Sequence, residues 1–132
     1  MEKNKLIQCL FAFIMSPLET KKLEILKSKL LKKGPGHLST GKVKYISETQ
    51  LGDGYRKYEI WLNALCDSDK HYEEIYRECV IPSPCWMMFK TDFERIGGFY
   101  AKSYPEDYDL CFRFYQQGLT IIGVKNVLHY WR

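Results

Sequence analysis

The C-terminal third of the chain, residues 96–132, reads IGGFYAKSYPEDYDLCFRFYQQGLTIIGVKNVLHYWR. Ser103 and Glu106 have the S-x-x-E spacing of a capping box, and Pro105 lies in the first turn, where an amide donor is not needed. Gly118 stands where a helix commonly ends in left-handed backbone. We therefore predict a helix from Ser103 to Gly118.

This helix is predicted to be amphipathic. Leu110, Cys111 and Phe114 fall on one face, and counting back three or four residues from them reaches Asp107. The more polar side holds Glu106, Asp109, Arg113 and Gln117. The helix dipole accounts for an acid such as Glu106 in the first turn. An inward carboxylate costs desolvation unless it is paired, so Asp107 has a structural and a functional explanation of equal weight.

Working outward, we predict alternating helices and strands in a single domain. The predicted helices begin at Ser16-Pro17, after Gly54, near Asp69 and at a Thr91–Glu94 capping box that ends at Gly97-Gly98. The predicted strands cover residues 40–47 with one wet face, 85–89 as a buried strand, 120–124 and 127–130. The apolar residues 6–15 are too few to span a bilayer and predict a buried strand or helix.

Three motifs in this order, IGGF, PEDYDLCFRF and LHYWR, resemble the C-terminal half of family-two inverting glycosyltransferases with the GT-A fold. The resemblance extends over about residues 17–132. It implies an α/β fold, namely a partial GT-A (nucleotide-diphospho-sugar transferase) fold. The chain would be its acceptor-side half, with a short mixed sheet and flanking helices in one partial domain, residues 1–132, of which 1–15 are atypical.

The resemblance implies transfer of a sugar from a nucleotide-sugar donor to a hydroxyl of a glycan or lipid-linked acceptor. Asp107 matches the general base, and His129 and Arg132 match a basic element near the nucleotide diphosphate. Taken by itself, His129 is explained somewhat better as a packed strand residue. Substrate contacts are implied for Glu106, Trp86, Gly97, Gly98, His129 and Arg132.

The metal motif of the family is not found where the resemblance places it. It should precede Ser16-Pro17, where residues 10–14 read LFAFI without an acid. The sequence Asp67-Ser68-Asp69 follows a predicted helix and is better explained as a helix cap. We therefore expect no metal site and no cofactor in this chain, and a divalent metal (Mn or Mg) in the complete enzyme.

The nucleotide-binding half also has no counterpart in these residues. A truncated chain, a disrupted gene or a split enzyme would each explain this, and in a split enzyme the missing half is a partner of the chain. The chain alone is then expected to be inactive. The alternative is a non-catalytic remnant or an interaction module with the same fold.

Composition narrows the class of protein and its partners. With 132 residues, 45% apolar and 15% aromatic, the chain is predicted to be globular. The net charge is +4, and lysines concentrate in residues 21–44, which suits an anionic membrane surface or, as we favour, a solvated face. The aromatic residues recur at core spacing, which argues against nucleic-acid binding.

Five cysteines without a C-x-x-C pair predict neither zinc nor a disulfide framework. Reduced thiols are typical of the cytoplasm. The sequence therefore predicts a cytoplasmic protein, with peripheral membrane contact as an alternative.

Overall fold

A computed structural model describes residues 6–8, 17–98 and 106–131. The elements in chain order are β1 (Leu6–Gln8), α1 (Pro17–Lys33), β2 (His37–Tyr45), α2 (Asp53–Ser68), a short 3-10 helix (His71–Glu74), β3 (Trp86–Phe89), α3 (Lys90–Arg95), α4 (Glu106–Gln116) and β4 (Thr120–Trp131). The fold is a small α/β domain, which confirms the predicted class.

The strands of the described residues form one mixed sheet in the order β1-β3-β2-β4. β3 runs antiparallel to both of its neighbours, whereas β2 and β4 are parallel. Parallel strands need a crossover connection, and here α2, β3 and α4 all lie between them in the chain. The predicted short mixed sheet with flanking helices is therefore confirmed.

Helices cover both faces of the sheet, so its central strands are buried on both sides. On one face α1 packs on the sheet through Leu26, Leu30, Met87, Phe89 and Leu128. On the other face α2 and α4 pack through Leu62, Trp86, Met88, Leu110 and Phe114. All four residues of β3 are buried, which explains its continuous apolar sequence. The inward face predicted for α4 is confirmed, because Leu110, Cys111 and Phe114 are each 0% exposed.

The predicted exit of α4 is also confirmed. Gly118 has a φ of +74°. The amide of Leu119 donates to the carbonyl of Phe114, and the amide of Gly118 to that of Tyr115, so the last free carbonyls of the helix are bonded. The chain thus turns directly from α4 into β4.

β4 was predicted as two short strands, and this prediction is wrong. It is one strand of 12 residues with a bulge. Thr40 pairs with Gly123 and Lys42 pairs with Val127, so residues 124–126 leave the regular register. The predicted break at this point corresponds to the bulge, because a bulge interrupts the ladder without ending the strand.

Three other boundaries differ from the predictions. β2 begins at His37 and is buried over most of its length, because it lies inside the sheet and helices cover both of its faces. The helix expected near Asp69 is only a 3-10 turn, which the hydroxyl of Tyr72 holds against β4 by donating to the carbonyl of Leu119. The Thr91–Glu94 capping box does not form, since α3 already begins at Lys90 and has no side-chain cap.

α2 approaches the sheet closely at Gly123. A Cβ built there would stand 2.5 Å from the Cα of Cys66, which is backbone and cannot rotate away. We expect Gly123→Ala to lower the free energy of unfolding by roughly 2–3 kcal/mol, the usual cost of overpacking. Urea denaturation would measure it.

Gly54→Ala is the matched control for this substitution. Gly54 lies in the first turn of α2, where an added Cβ would meet no atom within 4 Å, and alanine favours a helix by up to about 1 kcal/mol. We expect Gly54→Ala to be neutral or stabilising. Equal stability of the two variants would contradict the close packing of α2 on β4.

Candidate functional site

The N-terminus of α4 carries the predicted base. Asp107 is the second residue of this helix, and its side chain and that of Glu106 lie outside the described part of the structure, as does Arg132. The predicted roles of these three residues therefore remain predictions. The structure does describe how the helix that carries position 107 is held.

Arg113 ties α4 to the glycine turn after α3. Its Nη1 donates to the carbonyl of Ile96 at 2.6 Å, and its Nε donates to Asp109 at 3.0 Å. The side chains of Arg113 and Asp109 are only 17% and 18% exposed, so this part of the polar side of α4 is largely covered. The turn after α3 lies against these side chains, and their polarity is used for bonds within the protein.

Gly97 and Gly98, predicted to contact substrate, form the turn that Arg113 holds. Both have the positive φ predicted for a helix exit, at +95° and +64°. A Cβ at Gly97 would stand 3.5 Å from the Arg113 guanidinium, and one at Gly98 would stand 3.2 Å from Phe93. The described neighbours of Gly97 and Gly98 are therefore side chains of the protein itself.

The inward face of α4 meets the segment that leads into β3. The hydroxyl of Tyr108 donates to the carbonyl of Ile75 at 2.8 Å. The sulfur of Cys111 lies 3.9 Å from that of Cys79. Position 107 lies one helical turn before Cys111. The backbone of residue 107 is therefore in the same N-terminal part of α4 that makes these contacts.

The same segment, residues 79–85, also binds a buried lysine. Lys22 of α1 is 2% exposed, and its Nζ donates to the carbonyl of Pro84 at 3.0 Å. The Nζ also lies 3.4 Å from Nδ1 of His129 on β4. Sequence reasoning missed Lys22, although a signal was present: Lys22, Leu26 and Leu30 follow one another at intervals of four, which places the lysine on the buried stripe of α1.

The contact with Lys22 determines the tautomer of His129. An ammonium group only donates hydrogen bonds, so Nδ1 accepts and the proton of the neutral ring is on Nε2. The ring also meets the edge of Trp131, with centroids 6.0 Å apart. His129 is thus packed, as the residues alone favoured, and its Nε2 is a donor.

Trp86, which was predicted to contact substrate, does not lie at the protein surface. It is 1% exposed and belongs to the core between the sheet and the helices α2 and α4. Its position in the central part of the sheet explains this burial. An indole in this environment stabilises the fold and presents no surface to a ligand.

Both carboxylates of the Asp67-Ser68-Asp69 sequence form contacts within the protein. Asp67 pairs with Lys42 at 2.8 Å. Asp69 ends α2 in left-handed backbone with a φ of 56°, and its carboxylate accepts from the amide of Gly123 at 3.1 Å. Asp69 is therefore a helix cap, but it caps the C-terminus of α2 through its backbone amide and not a helix N-terminus through its side chain.

The described residues contain no group of three or more His, Cys, Asp or Glu side chains placed to hold a metal ion.

His71 is a buried histidine that sequence reasoning also missed. It is 1% exposed, and neither ring nitrogen has a hydrogen-bond partner among the described residues. Burial lowers its pKa from 6.5 to about 4, and the nearby charge of Asp69 only partly opposes this shift. His71 is therefore neutral in the folded protein at neutral pH.

Cys66, Cys79, Cys85 and Cys111 are buried thiols in the described part of the chain. Within that part of the chain, no helix is both long enough and apolar enough to cross a bilayer. Comparisons of the chain with protein-family models, with curated proteins and with solved structures gave no match.

Proposed function

We propose that this chain is the acceptor-side half of an inverting glycosyltransferase with the GT-A fold, and that Asp107 is its general base. One observation supports this most. Residues 79–85 contact both the helix that carries Asp107, through Cys79 and Cys111, and the Lys22–His129 pair, through Pro84. The reaction needs a carboxylate and hydrogen-bond donors for the leaving group. Residues 79–85 connect the elements that carry these groups, from α1 on one face of the sheet to α4 on the other.

The reaction is a displacement at the anomeric carbon of the donor sugar. The Asp107 carboxylate takes the proton of the acceptor hydroxyl as its oxygen attacks, and the bond to the nucleoside diphosphate breaks on the opposite side. One carboxylate suffices because no second residue has to protonate a glycosidic oxygen. Developing charge on the diphosphate requires donors that are already in place.

His129 and Arg132 are the candidates for that second role. Lys22 lies against Nδ1 of His129, and a neutral ring that accepts a hydrogen bond there carries its proton on Nε2. Arg132 suits the leaving diphosphate because a guanidinium can donate two parallel hydrogen bonds to phosphate. Together the two side chains would stabilise part of the negative charge that develops on the leaving diphosphate.

We expect the 132 residues alone to bind nucleoside diphosphates weakly and not to transfer sugar, because a nucleoside pocket and a metal motif have no counterpart in the sequence. Calorimetric titration with several nucleoside diphosphates and manganese, beside a donor-hydrolysis assay, measures both quantities. Tight metal-dependent binding, or turnover by this chain alone, would contradict the half-enzyme proposal and return Asp67 and Asp69 to consideration as ligands.

A further inference from the structure

A groove runs between α1 and the bulge of β4, on the face of the sheet opposite to α4. Its volume is about 620 Å³. One wall of the groove is formed by α1, with Ser28, Lys29 and Lys32. The other wall is formed by β4, with Gly123, Lys125 and Asn126. We call this feature, with the two depressions that adjoin it, the lysine surface.

The adjoining depressions extend the groove in both directions. One, of about 450 Å³, shares Ser28 and Lys32 with the groove and adds Lys27 and Leu31. The other, of about 260 Å³, shares Asn126 and adds Lys21, Val127 and Tyr130. The three together form one continuous surface along α1.

The charge of this surface is strongly positive. It contains five exposed or half-exposed lysines: Lys21, Lys27, Lys29, Lys32 and Lys125. None of them forms an ion pair with another described residue. Its acids are Glu24 and Asp69, and Asp69 is already bonded to the amide of Gly123. An anionic partner is therefore favoured.

Apolar side chains lie among these lysines. Leu31 is 53% exposed, Val127 is 40% exposed and Tyr130 is 44% exposed. The bulge at residues 124–126 interrupts the alternation of β4, and Val127 is exposed directly after it. Lysines with exposed apolar neighbours are the combination that binds at the boundary between lipid headgroups and acyl chains.

We propose that the lysine surface binds the surface of an anionic phospholipid bilayer. A nucleic-acid backbone would satisfy the lysines but would leave Leu31 and Val127 in water. A small soluble phosphate compound would need converging donors, whereas these lysines extend from an open groove. The proposal depends only on this surface and holds whether or not the chain has a part in sugar transfer.

The test is sedimentation of the chain with vesicles. We expect binding to vesicles of phosphatidylcholine with about one-third phosphatidylserine, weak binding to phosphatidylcholine alone, and loss of binding at high salt. Because each lysine near an anionic surface contributes about a fivefold gain in partitioning, the triple variant Lys29→Glu/Lys32→Glu/Lys125→Glu should bind at least about 100-fold more weakly.

The matched control is Arg56→Glu/Lys57→Glu/Lys70→Glu, which changes the net charge by the same amount at exposed positions on and next to α2. It should retain most of the binding. Leu31→Ser should weaken binding several-fold without changing its salt dependence. Thermal unfolding followed by circular dichroism checks that every variant is folded.

Three results would overturn the proposal. These are equal binding to both kinds of vesicle, equal loss of binding in the two triple variants, and retention on DNA or capture of inorganic phosphate without binding to vesicles. Binding that is lost only in the lysine-surface variants supports it.

Discussion

Replacing Asp107 by asparagine is expected to lower sugar transfer by about 100- to 10,000-fold, the usual contribution of a positioned general base. The assay requires the chain to be fused, or supplied in trans, with the nucleotide-binding half of a family-two enzyme. Asparagine has nearly the same shape as aspartate but cannot accept the proton of the acceptor hydroxyl. Nucleotide binding should be unchanged, because the base acts on the acceptor.

Glu106→Gln is the matched control for this substitution. Glu106 is the neighbouring residue in the first turn of α4, so each variant loses one carboxylate at the same helix terminus. The dipole contribution to stability, about 0.3–1 kcal/mol, is therefore lost in both. We expect Glu106→Gln to retain much more of the transfer rate than Asp107→Asn, because it removes only an implied substrate contact and leaves the base in place. An equal loss in the two variants, or normal transfer with asparagine at position 107, would count against Asp107 as the base.

Acidification is expected to destabilise the fold through His71. The unfolded chain binds a proton at the ordinary pKa of 6.5, whereas the folded chain binds one at a pKa of about 4. Between these values the unfolded state holds more protons, so the stability is fully present above pH 6.5 and is lost as the pH falls towards 4. The full loss is roughly 3 kcal/mol, of which about 2 kcal/mol is lost by pH 5.

Urea denaturation between pH 7.5 and pH 5 would measure this effect above the range in which most carboxylates titrate. His71→Leu should remove the pH dependence at little cost, since neither ring nitrogen has a described partner to lose. His37→Gln is the control, because the imidazole of His37 bonds the exposed turn at Gly34 and Pro35. A pH dependence that survives in His71→Leu would show that another group is responsible.

Local patterns were enough to predict several elements. The inward face of α4 and the buried β3 follow from apolar spacing within one segment, and the helix ends at Gly97-Gly98 and Gly118 follow from glycine positions. These features depend on residues that are neighbours in the sequence. The α/β class follows from the alternation of such segments.

Features that depend on a distant partner could not be predicted in this way. β2 is buried on both faces because α1 packs on one and α2 on the other, and its own sequence, with Ser39, Thr40 and Lys42, is polar in part. Ser39 and Thr40 tolerate burial because their hydroxyls donate to the carbonyls of Leu26 and Cys85. Polar side chains are usually found at the surface, whereas these two make their hydrogen bonds inside the protein.

In the candidate site, too, local features could be predicted from the sequence and long-range contacts could not. The motif indicated the helix of Asp107, but Lys22 lies 107 residues from His129 in the sequence, and only the fold brings them together. The burial of Trp86 likewise depends on which strands flank β3. Periodicity within α1 was sufficient to identify Lys22 as inward-facing, but not to identify its partners.

The contact between Asp69 and Gly123 has a consequence for self-association. β4 forms an outer edge of the described sheet, and a free edge is a template on which a strand of another molecule can add. The Asp69 carboxylate already accepts from the Gly123 amide, and directly after it the bulge displaces residues 124–126. An incoming strand would therefore meet an interrupted ladder, so we expect this side chain to oppose aggregation through β4.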